Sequence, residues 1–128
     1  MIAFDYVKAR DVSDAVSQIA REPNARFIAG GTNLIDLMKE NVTNPRRLID
    51  ITGLELAEIE ETEAGGLRIG ALVPNSDLAY HEWIRTRYPL LSSAILAGAS
   101  AQLRNMPTCR ISRSFLSTNV RSISIRLE

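Results

Sequence analysis

Polar and apolar residues alternate near the start of the chain, and apolar residues then recur every three or four positions. The alternating stretch predicts a strand near Phe4–Val7. The second pattern covers Asp11–Arg21 and predicts a helix, with Asp11 or Ser13 as its N-cap. The chain therefore opens with a strand followed by an amphipathic helix.

A glycine pair, Gly30-Gly31, separates a second predicted strand from a second amphipathic segment. The strand is the apolar run Phe27–Ala29, and Asn33 is a candidate N-cap for a helix that opens at Leu34. Glycine permits positive φ and lets the backbone approach a ligand closely. A strand, a glycine turn and a helix start point unpaired amides at one place, which suits phosphate. The simpler interpretation of this stretch alone is a packing turn, because the P-loop and three-glycine fingerprints are absent.

The order strand–helix–strand favours a parallel pairing of the first two strands. A third strand is predicted at Arg46–Ile51, and a second glycine pair, Gly65-Gly66, separates two strand-like runs typical of a hairpin. Four glutamates precede that turn, and we interpret them as a solvated face because a hard-cation site needs converging carboxylates. They are Glu58, Glu60, Glu61 and Glu63.

The remaining segments predict helices and a final strand. Helical spacing covers Leu78–Arg87, where His81 has no nearby acid or nucleophile and is interpreted as structural, and it returns in Leu90–Ala101. Residues 102–108 are expected to lead into a turn or strand. Alternation over residues 123–127 predicts a strand, and the basic, serine-rich texture around it can also be interpreted as a phosphate-binding tail.

Composition narrows the function classes. The 128 residues carry no net charge, so nothing global favours nucleic acid or an anionic membrane, although residues 1–108 sum to −3 and residues 109–128 to +3. A single cysteine, Cys109, excludes an internal disulfide or a cysteine metal cluster, and a single histidine excludes a multi-histidine site. No apolar run of about 18 residues exists, so no membrane span is expected. No side chain is a credible catalytic acid, base or nucleophile, and no metal ligands are predicted.

Several segments, in order and at their spacing, resemble the FAD-binding subunit of molybdenum-containing hydroxylases, the group of xanthine dehydrogenase and aldehyde oxidoreductases. The resemblance is strongest to the separate flavin subunit of bacterial aldehyde oxidoreductases. The segments that carry it are Phe4-Asp5-Tyr6, Ile28-Ala29-Gly30-Gly31-Thr32-Asn33-Leu34, Leu48-Ile49-Asp50-Ile51, Gly66-Leu67-Arg68-Ile69-Gly70-Ala71-Leu72-Val73, Tyr88-Pro89-Leu90-Leu91 and the run from Ala97 to Thr108.

The resemblance implies an α+β fold, the N-terminal part of a PCMH-type FAD-binding domain. Such a part has a small parallel or mixed sheet with helices, followed by the start of a second α+β subdomain. We expect a partial domain over residues 1–108, divided into a first α/β subdomain at 1–52 and the start of the second at 53–108. Residues 109–128 are expected to form an aberrant, non-homologous tail.

The resemblance also implies a cofactor, FAD, and a set of residues that bind it. The family's first glycine loop wraps the FAD diphosphate, and a second loop has Thr or Ser, an apolar residue and Gly-Gly-Asn. Thr108 matches the first position of that second loop. The implied FAD-binding residues are Phe27, Ile28, Ala29, Gly30, Gly31, Thr32, Asn33, Leu34 and Thr108.

The resemblance ends after Thr108, where Arg110-Ile111-Ser112 stands in place of Gly-Gly-Asn. We therefore expect a truncated or frameshifted copy whose tail was never selected to fold against the rest of the chain. Losing half of the phosphate donors is expected to weaken FAD binding by several orders of magnitude.

The family implies electron transfer from two iron–sulfur clusters through FAD to an external acceptor. The partners expected are a molybdenum-binding large subunit and a 2Fe-2S small subunit, which would carry the molybdopterin and the clusters. The compartment expected from the sequence is the cytoplasm, or the periplasm by co-export with a partner. Two alternatives remain: an inactive fragment that only docks partner subunits, and a phosphate- or nucleotide-binding module that uses the glycine turn alone.

Overall fold

The computed structural model describes residues 2–98, 100–104 and 124–127. Short strands alternate with short helices along this part of the chain. The strands are β1 Asp5–Lys8, β2 Ala25–Ile28, β3 Arg47–Asp50, β4 Ile59–Glu61, β5 Leu67–Gly70 and β6 Ser124–Leu127. The helices are α1 Val12–Arg21, α2 Leu34–Lys39, α3 Asn75–Tyr80, α4 Glu82–Arg87, α5 Pro89–Gly98 and α6 Ala101–Arg104.

The first sheet has the strand order β1-β3-β2, and both pairings are parallel. The predicted direct pairing of the first two strands is therefore wrong, because β3 lies between them. The reason is burial: Leu48, Ile49 and Asp50 of β3 are all buried, whereas three of the four residues of β1 are exposed. An apolar strand that is covered on both sides takes the centre of a parallel sheet, and the more polar strand takes an edge.

The helix α1 covers one face of this sheet. Ala15, Ile49 and Ile51 are fully buried in the first hydrophobic cluster, with Val7 and Phe27 packed against it. The predicted cap is confirmed, since the Asp11 carboxylate accepts a 2.7 Å hydrogen bond from the amide of Asp14.

The helix α2 ends in a Schellman motif. The amide of Val42 donates to the Leu37 carbonyl at 2.9 Å, and the amide of Asn41 donates to the Met38 carbonyl at 3.2 Å. Asn41 has φ of 55°, the left-handed conformation that this motif requires and that asparagine tolerates better than most residues. The chain therefore stops the helix without a glycine.

The second sheet has the order β4-β5-β6, with antiparallel pairings. The predicted hairpin is confirmed, and Gly65 in its turn has φ of +80°. The predicted final strand is also confirmed at residues 124–127. Because these residues pair with β5, the expectation of a tail that does not fold against the rest of the chain is not met there; residues 109–123 lie outside the described residues.

The predicted helix Leu78–Arg87 is two helices, α3 and α4. The break is at His81, whose ψ of 135° is extended, and whose Nδ1 accepts a 3.3 Å hydrogen bond from the amide of Trp83. His81 therefore caps α4, which gives it the structural role expected. Buried Ser92 in α5 donates a 2.6 Å hydrogen bond to the Ala79 carbonyl and joins α5 to α3.

The predicted helix Leu90–Ala101 differs at both ends from helix α5, which runs from Pro89 to Gly98. Helix α5 starts one residue earlier, at Pro89, where the fixed φ of proline suits a first helical turn. Of the run 102–108, which is expected to lead into a turn or strand, residues 102–104 belong to helix α6. The alanine and glutamine that open this helix are compatible with helical backbone. Residues 105–108 lie outside the described residues.

Candidate cofactor site at the carboxyl edge of the first sheet

The glycine loop lies at the carboxyl edge of the parallel sheet. All three strands run in the same direction, so the segments that follow β1, β2 and β3 meet at one edge. The last row of the sheet joins Lys8, Asp50 and Ile28, since Lys8 and Ile28 are each in register with Asp50. The loop leaves the sheet directly after Ile28. This edge is where open α/β sheets bind their ligands.

Gly31 has a backbone conformation that other residues rarely adopt. Its φ is +72°, and a Cβ placed on it would lie 3.0 Å from Ile35 Cγ1 and 3.5 Å from Ile28 Cδ1. The first distance is tighter than ordinary packing allows, so both the torsion and the space require glycine. The side chains of Ile28 and Ile35 therefore pack beside the turn at Gly31.

The amides of the loop are not used by internal hydrogen bonds. Within the described residues, the main-chain N–H groups of residues 30–33 have no hydrogen-bond acceptor, and the side chains of Thr32 and Asn33 have no partner. The amide of Ile35 is bonded, to the Gly31 carbonyl at 3.0 Å. Asn33 occupies the N-cap position of α2 but makes no side-chain cap bond, so its predicted capping role is wrong. These donors fit a diphosphate, which accepts hydrogen bonds from several amides at once.

The residues predicted to bind FAD divide into two groups. Phe27 and Ala29 pack against the first hydrophobic cluster, so their side chains face the core. Residues 30–33 form the turn, and Leu34 opens α2. Residues Phe27–Leu34 thus form one continuous segment, from the end of β2 through the turn to the first residue of α2. Thr108 lies outside the described residues.

The carboxylate of Asp50, which was not among the predicted site residues, lies in the last row of the sheet beside Ile28, the residue that precedes the loop. Asp50 Oδ2 accepts a 2.7 Å hydrogen bond from the Tyr6 hydroxyl, and Asp50 Oδ1 accepts from the amide and hydroxyl of Thr52 at 2.8 and 2.7 Å. The bond from the amide two residues on is an Asx turn. The signal available in the sequence was Asp50-Ile51-Thr52, because an aspartate followed two positions later by threonine favours this turn.

The electrostatics of this network favour the ionised carboxylate. Burial alone raises the pKa of Asp50, but hydrogen bonds from Tyr6 and Thr52, with the charge of Lys8, outweigh burial and lower that pKa below its ordinary value. The same hydrogen bond to Asp50 is the main reason that the pKa of the Tyr6 phenol is raised, with desolvation and the carboxylate charge adding to it. The network therefore holds a negative charge at the end of β3.

A parallel sheet with a glycine turn at its carboxyl edge is typical of domains that bind phosphate-containing cofactors. Comparison with known proteins gives the family. The model of the FAD binding domain in molybdopterin dehydrogenase matches residues 2–109. The chain therefore belongs to the family of FAD-binding domains of molybdopterin dehydrogenases, and FAD is the cofactor of that family.

Individual relatives agree with this assignment. The chain is 56% identical over 108 residues to the aldehyde oxidoreductase FAD-binding subunit PaoB of Escherichia coli K12, which covers 84% of this chain and 34% of that subunit. Among solved structures it is similar to reconstituted CO dehydrogenase from Oligotropha carboxidovorans, with a TM-score of 0.75 and 30% identity over 84% of this chain and 39% of the other. Quinoline 2-oxidoreductase from Pseudomonas putida 86 gives a TM-score of 0.72 at 30% identity, with 84% and 38% covered.

The chain spans somewhat more than a third of the length of these relatives. Several relatives are named as subunits or medium chains, so they act within assemblies of several polypeptides. None of the helices in the described part of the chain is both long enough and apolar enough to cross a membrane.

Proposed function

We propose that this chain is an FAD-holding, electron-transfer component of a molybdenum hydroxylase, which binds the FAD diphosphate through the turn Phe27–Leu34. The observation that carries the proposal is the set of loop amides without internal acceptors, beside a left-handed glycine. Each charge-assisted hydrogen bond contributes about 1.5–3 kcal/mol, so a few such bonds provide substantial affinity.

The side chains of the turn add direction to these donors. Thr32 contributes a hydroxyl and Asn33 an amide group, and both can donate to phosphate oxygens. Ile28 and Ile35 pack beside the turn, so the turn is preorganised for the ligand. FAD supplies the redox chemistry when bound, and the protein supplies position and electrostatics. Thr108 belongs to the proposed site as its contribution from the second loop.

Catalysis by such a component requires other chains. The sequence has one cysteine, whereas a 2Fe-2S cluster needs four protein ligands, so the clusters belong to a small subunit and the molybdopterin to a large subunit. We propose that electrons pass from those clusters through FAD to an external acceptor. The assembly would lie in the cytoplasm, or in the periplasm if exported with a partner. Residues 1–52 and 53–108 would form the two parts of the flavin domain, and residues 124–127 add a strand to the second part.

Titration of the purified full chain with FAD tests the binding proposal. We expect quenching of flavin fluorescence and a yellow chain after removal of free FAD. Gly31→Ala should weaken binding, while Gly65→Ala, which places the same strain in the β4–β5 turn, should not. A chain that stays colourless but still co-purifies with molybdenum and iron–sulfur subunits would instead be an interaction module without FAD. Binding of ADP without FAD would favour the simple nucleotide-binding alternative.

A further inference from the structure

We propose that Lys8 is a further binding residue, whose ammonium group pairs with the diphosphate held by the glycine loop. This inference rests on the proposed function, because it concerns the same ligand. It starts from the last row of the first sheet, in which Lys8, Asp50 and Ile28 lie side by side.

Lys8 and the glycine loop lie on the same face of the sheet. The hydrogen bond between Tyr6 and Asp50 shows that these two side chains share a face, and Lys8 shares it because side chains alternate along a strand. Ile28 is in register with Asp50, so its side chain lies on the same face as that of Asp50. A Cβ placed on Gly31 would lie 3.5 Å from Ile28 Cδ1, so the turn at Gly31 is next to this side chain. Val7 faces the opposite side, in the cluster under α1.

The lysine side chain extends from the edge strand over the end of the central strand. A Cβ placed on Gly53 would lie 2.9 Å from Lys8 Cε and 3.4 Å from Lys8 Nζ. The ammonium group is therefore close to Gly53, in the segment that follows β3. Strand β3 lies between β1, which carries Lys8, and β2, which precedes the glycine loop. With about 4.8 Å between neighbouring strands, the backbones of Lys8 and Ile28 are about 10 Å apart. A lysine side chain and a bound phosphate together can span that distance.

Charge gives the reason for a cation at this place. Residues 27–34 contain no charged side chain, whereas a diphosphate is an anion that needs one. Other cations near this sheet have partners: Arg10 pairs with Asp14 at 3.6 Å and Arg47 with Asp5 at 3.3 Å. The guanidinium of Arg26 donates a 2.8 Å hydrogen bond to the Ala25 carbonyl. Lys8 forms no ion pair within 4.0 Å in the described part of the chain, and its three donors are therefore available.

Asp50 does not occupy the hydrogen-bond donors of Lys8. Both carboxylate oxygens already accept hydrogen bonds from Tyr6 or Thr52, and Lys8 acts on Asp50 only through its charge. The carboxylate thus keeps the ammonium group near the end of β3 without occupying it. Lysine suits this role because it is a compact point charge with donors in several directions.

Titrations of the full chain with FAD at low and high salt test the inference. Lys8→Gln should raise the Kd for FAD roughly tenfold at low salt, and the difference should shrink as salt screens the charge. Lys8→Arg should restore most of the affinity. Arg10→Gln is the matched control, because it removes the same charge from a side chain paired with Asp14, and it should leave the Kd unchanged.

The outcomes separate the two proposals. If the unchanged chain does not bind FAD, the proposed function and this inference both fail. If it binds FAD and Lys8→Gln binds equally well at low salt, only the role of Lys8 is overturned. Should Lys8→Gln fail to fold because Asp50 is left unbalanced, the double variant Lys8→Gln/Asp50→Asn removes both charges. Its Kd is then compared with that of Asp50→Asn, and equal values would overturn the role of Lys8.

Discussion

Tyr6 and Asp50 join the edge strand to the central strand of the first sheet, through a 2.7 Å hydrogen bond between residues 44 positions apart in sequence. Asp50 is only 7% exposed, so its carboxylate has little access to water as an alternative partner. Tyr6 is 57% exposed, and its hydroxyl nevertheless donates to Asp50. This bond holds β1, and with it Lys8, against the strand next to the glycine loop.

Tyr6→Phe should lower the free energy of unfolding by about 1–3 kcal/mol, because it leaves a buried carboxylate oxygen without its donor. Thermal or denaturant unfolding measures the change. Tyr80→Phe is the matched control: Tyr80 is 61% exposed, and within the described residues its hydroxyl has no hydrogen-bond partner. Equal effects of the two substitutions would contradict the importance of the Tyr6–Asp50 bond.

The same pair should make stability depend on pH in two windows. The pKa of Asp50 is lowered in the folded chain, so its contribution is present above the ordinary value of about 3.9 and is lost as pH falls below it. The pKa of Tyr6 is raised, so its contribution is present below about 10 and is lost as pH rises further. Unfolding measured across pH should show both losses. In Tyr6→Phe the loss of stability at alkaline pH should be smaller than in the unchanged chain. An equal loss in both chains would contradict the assignment of this loss to Tyr6.

Gly31→Ala should destabilise the chain more than Gly65→Ala. Both glycines have positive φ, so each alanine costs about 1–2 kcal/mol for the left-handed conformation. Only at Gly31 does the new Cβ also meet a side chain, at 3.0 Å from Ile35, whereas at Gly65 nothing lies within 4 Å. Chemical denaturation of the two variants gives the comparison. An equal loss would mean that Ile35 moves aside without cost.

His81→Ala should cost about 0.5–2 kcal/mol, because it removes the cap of α4. His81→Asn should recover much of that loss, since asparagine is a strong N-cap residue. The sole tryptophan, Trp83, lies with its ring centroid 5.2 Å from that of His81, so its fluorescence reports directly on this site. Failure of asparagine to rescue would show that the ring contact matters more than the cap.

The sequence predicted the elements of the first sheet because their periodicities are clear, from the alternation near Phe4 to the apolar run before Gly30. It did not predict the strand order, since that depends on the relative burial of β1 and β3 and not on either pattern alone. The break at His81 was missed for a similar reason. Helical spacing continues through that position, whereas the structure has an extended residue there whose Nδ1 accepts a hydrogen bond from the Trp83 amide.

The candidate site was predictable at the loop and not beyond it. The requirement for glycine at position 31 follows from the strand–turn–helix pattern, and the structure adds Ile28 and Ile35 as the side chains that enforce it. The Tyr6–Asp50 pair and the place of Lys8 come from cross-strand register, which no local pattern contains. The FAD contacts assigned to Phe27–Leu34 and Thr108 stay predictions until they are tested with the ligand.

The pairing of β6 with β5 also decides which strand is left at the rim of the second sheet. With β5 enclosed on both sides, β4 presents its outer edge, and its Glu60 and Glu61 are exposed there. Glu60 pairs with Arg68 at 3.5 Å and Glu61 with Arg87 at 2.6 Å. Charged side chains on an edge strand oppose the strand-by-strand stacking that leads to aggregates. Residues 124–127 thus cover one edge of β5, while charged side chains protect the outer edge of β4.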